Sequence, residues 1–231
     1  MKNVCTLVVA LICFFSTALA QNPPVARTDV YHVHFAKATL GKGAEEGDFL
    51  KRQGPNPPMP GHYLVLRHQS GEDWDYVAIE HLGTKTTVNA ATPPPPAGAR
   101  DLNAWHTDSF VSGPPWPDFA RAMGLDDAAK SAGSVYLVSV FRAAPEHREQ
   151  LERALSQPPG PPETIGGTVL MQHLEGGPWH FLTLTRYNSW QDFATSQKAS
   201  AADTLKSGGG WLEVRNHSTF HNDTVADRIA P

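Results

Sequence analysis

An α+β fold made of two tandem copies of one strand–helix–strand–strand–helix–strand unit is the architecture this sequence predicts, and three observations predict it. The chain repeats itself: Val30-Tyr31 recurs as Val135-Tyr136, and the same spacing carries Gly61 onto Gly166, His68 onto His173, Gly71 onto Gly176 and Trp74 onto Trp179. Apolar character is kept between these anchors, as in Leu64/Val169, Leu66/Met171, Val77/Leu182 and Ile79/Leu184. The repeat is longer than the roughly 20–50 residues of a solenoid unit, so it marks a duplicated small domain. Within each copy, β-branched and aromatic runs are separated by Gly-containing turns at hairpin spacing. Finally, 40% hydrophobic and 18% charged residues in a chain of 231 suffice for a packed core and exclude a disordered polymer.

The elements follow in order. Residues 1–20 read as a secretory leader: Lys2 is positive, residues 4–15 are nearly unbroken apolar, and Ala18-Leu19-Ala20 before Gln21 forms a small-x-small cleavage site. That run is too short to span a bilayer comfortably. Both cysteines, Cys5 and Cys13, lie within it and away from the cleavage point, which argues against a lipid anchor. The expected product is secreted or periplasmic, free of disulfides, and without a membrane contact once the leader is cut.

Repeat one is expected over residues 28–112, with strands at 30–36, 63–68, 74–81 and 105–111 and a helix at 44–52. Its second helix is degenerate, because residues 84–99 contain the run Pro93 to Pro96, and proline removes helical donors. Residues 113–132 form a linker with a helix at 118–130. Repeat two covers residues 133–225, with strands at 135–142, 168–173, 179–187 and 211–221 and helices beginning at Pro145 and Trp190. His106-Thr107 and Phe110 are read as the echo of His217-Ser218 and Phe220.

This arrangement is ferredoxin-like, and the chain resembles the dimeric α/β-barrel superfamily. That group includes antibiotic-biosynthesis-type monooxygenases, stress-responsive barrel proteins, chlorite dismutase-like haem proteins and EthD- or NIPSNAP-like proteins. The resemblance covers residues 28–225 and assigns no subfamily. It implies two sheets packed as a pseudo-dimeric barrel with helices outside, and a small organic molecule held between sheet and helices or within the barrel. Cofactor-free relatives oxidise activated aromatic substrates, so the implied activity is monooxygenase-like. The alternatives are a metal- or haem-dependent protein and a non-catalytic binding barrel. Because two copies stand in one chain, no second chain is required to close the barrel.

Strand alternation sorts the chemistry. Tyr31, Val33 and Phe35 share one face of the first strand and are kept as Tyr136, Val138 and Val140, so they are expected under the helices. His32 and His34 share the other face and are replaced by Leu137 and Ser139 in the second copy. They are expected to face the other sheet and line a cavity with His106 and Glu80 as catalytic residues. Arg67, Arg215 and His217 are the expected substrate-binding residues. An His-x-His pair on a strand also suits a shared metal, with His106, Asp108, Glu80 or His81 as a third ligand, but the spacing selects none of them and assigns no metal site. His68 and His173, kept in both copies beside a turn, read as structural. No nucleophile motif, phosphate loop or dinucleotide fingerprint appears, so the sequence names no cofactor. A formal charge of −4 with no basic cluster excludes nucleic acid and anionic membranes as partners.

Overall fold

Eight antiparallel strands close on themselves, and the period-two alternation of each strand decides what fills the barrel and what faces out. The structure is a computed structural model that describes residues 26–53, 57–86, 98, 101–127, 131–157, 164–204 and 210–231. In chain order the elements are β1 (Asp29–Ala38), α1 (Gly43–Leu50), β2 (Tyr63–Ser70), β3 (Tyr76–Thr84), β4 (Asn103–Gly113), α2 (Trp116–Met123), β5 (Val135–Ala143), α3 (Arg148–Leu155), β6 (Ile165–Glu175), β7 (Phe181–Tyr187), α4 (Trp190–Thr204), α5 (Gly210–His217) and β8 (Ser218–Ala230). Around the barrel the order is β1, β3, β2, β8, β5, β7, β6, β4 and back to β1. β1 lies between β3 and β4 as β5 lies between β7 and β8, and the halves meet where β2 pairs with β8 and β4 with β6.

The largest core is the barrel interior. Tyr31, Val33 and Phe35 of β1 meet Leu64 and Leu66, Val77 and Ile79, Tyr136 and Val138, Met171, Leu182 and Leu184 there. Most of these are fully buried. This reverses the expected facing. The apolar set shared by both halves fills the barrel, and His32 and His34 point outward. The reason is size: eight strands enclose a space that side chains alone can fill, so the interior is packed and the histidines line no cavity inside it. Two smaller cores lie outside the barrel. Leu50 of α1 covers Tyr63, Val65, Tyr76 and Ala78, and Leu151 of α3 covers Phe141 and Phe181.

Three elements differ from expectation. Residues 210–217 form a helix where a strand was expected. Its side chains pair at helical spacing: Arg215 lies over the Trp211 ring at 5.4 Å, and His217 Nε2 is 3.1 Å from Glu213 Oε1. Strand β8 therefore begins at Ser218 and runs on to Ala230. The linker helix α2 ends at Met123 because Gly124 takes the left-handed conformation (φ 69°) and turns its amide back onto Arg121 O. Strand β4 begins at Asn103, two residues before the expected start at 105. The leader and the Pro93 to Pro96 run lie outside the described residues.

The paired turn glycines interlock the halves. Gly71 (φ 134°) packs on Asp223 and Thr224 of β8, and Gly176 (φ 108°) packs on Asp108 and Ser109 of β4. The neighbouring amides complete both contacts: Glu72 donates to Thr224 Oγ1 at 3.1 Å and Gly177 to Ser109 Oγ at 2.9 Å. A side chain at either glycine would occupy the opposing backbone. His68 and His173, beside these turns, set their rings edge-on to Trp74 and Trp179 at 5.7 Å and 5.2 Å, which is the structural part expected of them.

Candidate functional site

On the outer face of β1, alternation presents His32 and His34 side by side. Antiparallel pairing sets Asp108 of β4 opposite His34 and Phe110 opposite His32, while Glu80 of β3 stands across His32 from the other side. α1 covers the β2–β3 part of this face, leaving the polar group on the β1–β4 part. His32 and His34 are mostly buried, at 16% and 23% side-chain exposure, and Asp108 is 43% exposed, so the group opens to solvent through its carboxylate.

The contacts converge on one oxygen. His32 Nε2 and His34 Nδ1 each lie 2.8 Å from Asp108 Oδ1, and a carboxylate can only accept, so both imidazoles donate. His32 Nδ1 is 3.4 Å from Glu80 Oε2. His106 Nε2 approaches Asp108 Oδ2 at 3.5 Å, and its ring lies 5.1 Å from that of His34. Phe110 stacks on His32 at 5.3 Å and fixes the ring plane.

Burial disfavours a charge on His32, but the bonds to Asp108 and Glu80 outweigh it and raise its pKa to about 9. The two imidazoles hold Asp108 far below the usual carboxylate range. His32 is thus an imidazolium spanning two carboxylates. His34 differs: its Nδ1 is committed to Asp108, and among the described residues no hydrogen bond reaches its Nε2. That nitrogen is free to take a proton, the orientation a carboxylate imposes on a catalytic histidine.

The second half shows what this face looks like without the histidine pair. Ser139 stands opposite Asp223 and Leu137 opposite Val225, while His221 bonds Asp223 at 2.8 Å. The β4 segment His106-Thr107-Asp108 therefore matches His221-Asn222-Asp223 of β8, and not His217-Ser218 as the sequence suggested. The helix α5 lengthens the second half and shifts the spacing there. A carboxylate two residues after a histidine in both last strands was the signal for Asp108. It is visible only once that shift is allowed.

Of the expected catalytic residues, His32, His34, Glu80 and His106 come together. The expected substrate-binding residues do not join them. Arg67 forms a bidentate pair with Asp227 across the β2–β8 seam, at 3.1 Å and 2.8 Å. Tyr76 stands opposite Arg67 and Tyr63 opposite Glu80, so Arg67 and Glu80 do not face each other across β2 and β3. Arg215 and His217 belong to α5, where His217 Nδ1 is 3.0 Å from His147 Nδ1. His81, named as a possible third ligand, is also elsewhere: it bonds buried Asp29 at 2.8 Å and meets His62 at 3.2 Å beside Trp116.

No protein-family model matches the chain. No curated protein matches it either. Among solved structures, a monooxygenase-like protein of Fusobacterium nucleatum is similar over 87% of this chain and 93% of its own, with 9% identity and a TM-score of 0.52. A monooxygenase-like protein of Lactobacillus acidophilus has 9% identity and a TM-score of 0.48 over 87% of this chain and 94% of its own. An anthrone oxidase-like protein has 13% identity and a TM-score of 0.47 over 88% and 92%. At such identities the likeness is one of fold alone.

Proposed function

We propose that this chain binds and transforms a small organic molecule bearing an acidic proton, on the outer face of β1 and β4, in a monooxygenase-like reaction. One observation carries the reading: among the described residues, two imidazoles and a carboxylate converge on the partly open outer face of β1 and β4 in one half only. The equivalent aspartate of the second half, Asp223 of β8, manages with Ser139 and His221, so the second imidazole in the first half calls for a task. His34, oriented by Asp108, supplies a base; the positive charge of His32, held in place by Glu80, stabilises the anion left behind. The fold is consistent with this chemistry but does not dictate it.

Two further readings belong with the proposal. The strand orders β4-β1-β3-β2 and β8-β5-β7-β6 support a tandem ferredoxin-like duplication in which the first half kept the site. The leader-like residues 1–20 support export, tested by the N-terminal sequence of protein recovered from the periplasm. The activity is tested with anthrone and a panel of hydroquinones as probes, following oxygen uptake. Turnover that falls about 100-fold or more in His34→Ala and Asp108→Asn, and is unchanged in His221→Ala, supports the reading. Turnover insensitive to His34, or none with any probe, counts against it.

A further inference from the structure

We propose that His32, His34 and Asp108 form a binding site for a divalent first-row transition-metal ion, with Glu80 holding His32 from behind. The inference rests on placing the functional site at this cluster, and it adds an ion whose bound water would work beside the His34 base. One donor atom from each of the three residues lies within 4.8 Å of the other two, so a single ion can reach all three with small rotations. The backbone builds this convergence: alternation puts both imidazoles on one face of β1, and the β1–β4 register brings the carboxylate directly across from His34.

The far nitrogen of His32 faces Glu80 at 3.4 Å. A carboxylate behind a ligating imidazole fixes its tautomer and increases its basicity, which is the usual support of a metal-bound histidine. Phe110 restrains the same ring by stacking. Charge also balances: the two carboxylates carry two negative charges, and a divalent ion with neutral imidazoles cancels them. Two nitrogen donors and one oxygen favour manganese, iron, cobalt, nickel or zinc over magnesium and calcium, which prefer oxygen alone. Three protein ligands on an open face leave positions for water, and an ion-bound water is a base at neutral pH. The second half carries Leu137 and Ser139 in place of the imidazoles and is an internal control that should bind nothing.

The test uses protein purified without a histidine tag, stripped with chelator, and titrated with cobalt(II) while visible absorption and heat are recorded. One ion per chain with ligand-field bands is expected. His32→Ala and His34→Ala should each weaken binding about 100-fold or more, with circular dichroism confirming that they fold. Glu80→Gln, which keeps the shape, should weaken it about 10–100-fold, an effect that a purely structural Glu80 would not produce. His221→Ala should change nothing. Absence of a stoichiometric ion, or binding indifferent to these residues, overturns the metal site. Full oxygen uptake by the stripped protein also overturns it while leaving the acid–base reading standing. A parent chain that shows neither ion binding nor oxygen uptake removes the site itself.

Discussion

Glu46 of α1 points its side chain into the sheet at 2% exposure, and among the described residues its Oε2 has no hydrogen-bond partner. Burial first, then the negative charge of Asp75, pushes its pKa up to about 7 from an ordinary 4.5. Around it, Lys37 is bound to Asp75 at 3.7 Å, while the Tyr76 hydroxyl donates to Gly43 O. The sign is unusual for a carboxylate. The folded chain keeps this proton where the unfolded chain has lost it, so the group costs stability progressively as pH rises from about 4.5 to about 7, and the full cost persists above. Glu46→Gln removes the ionisation. The variant should match the parent in thermal melts near pH 4 and exceed it by on the order of 1 kcal/mol at pH 8. A gap that does not widen with pH would show that Glu46 is ionised without strain. The contrast with Asp108 shows how position alone decides: the carboxylate against apolar sheet and another acid goes up, and the carboxylate between imidazoles goes down.

The hairpin turns make the next prediction. Gly71→Ala and Gly176→Ala both place a methyl where the opposing strand's backbone lies, at a φ that side chains avoid. Each should cost roughly 2–4 kcal/mol, read as a denaturation midpoint shift. Their effects on the site should differ. Gly176 presses on Asp108 and Gly71 on Asp223, so cobalt(II) affinity should fall in Gly176→Ala and hold in the folded fraction of Gly71→Ala. Equal effects would mean that Asp108 is not positioned by this clamp. These glycines also show how much was legible beforehand. The sequence spacing exposed them, together with seven of the strands and only residues 218–221 of β8, the helices α1 to α4 in outline, and the pair His32 and His34, because period-two alternation leaves a direct trace. What faces inward left none: an apolar set reads the same whether it lies under a helix or inside a barrel. Residues 210–217 misled because Trp211, Leu212 and Val214 suit a strand, while the helix depends on pairs four apart. That error displaced His217 and Arg215 into the site and hid the match between Asp108 and Asp223.

At the scale of the molecule, closure of one barrel from both halves makes them a single cooperative unit, and a buried arginine and a half-buried one fasten the joint. Arg186, 5% exposed, donates to Ala122 O at 3.0 Å, Gly166 O at 2.8 Å and Asn188 Oδ1 at 3.0 Å. Arg228 of β8 donates to Gly124 O at 3.2 Å and Ser131 Oγ at 2.6 Å. Both therefore hold carbonyls at or just beyond the C-terminal end of α2, where positive charge is favoured, and so tie the segment between the halves to β7 and β8. Arg67 bridges the halves too, through Asp227, but it is 50% exposed and screened by solvent. The expected ranking follows from burial rather than from bond count. Arg186→Ala strands the Ala122 and Gly166 carbonyls and opens a hole, and should cost about 3 kcal/mol or more. Arg67→Ala should cost under about 1 kcal/mol despite losing a bidentate pair. Urea unfolding followed by tryptophan fluorescence and by far-ultraviolet circular dichroism checks both values. The two signals should coincide in every variant, since neither half can bury its inner face without the other. Separate transitions in Arg186→Ala would instead make the halves independent domains that merely share a sheet.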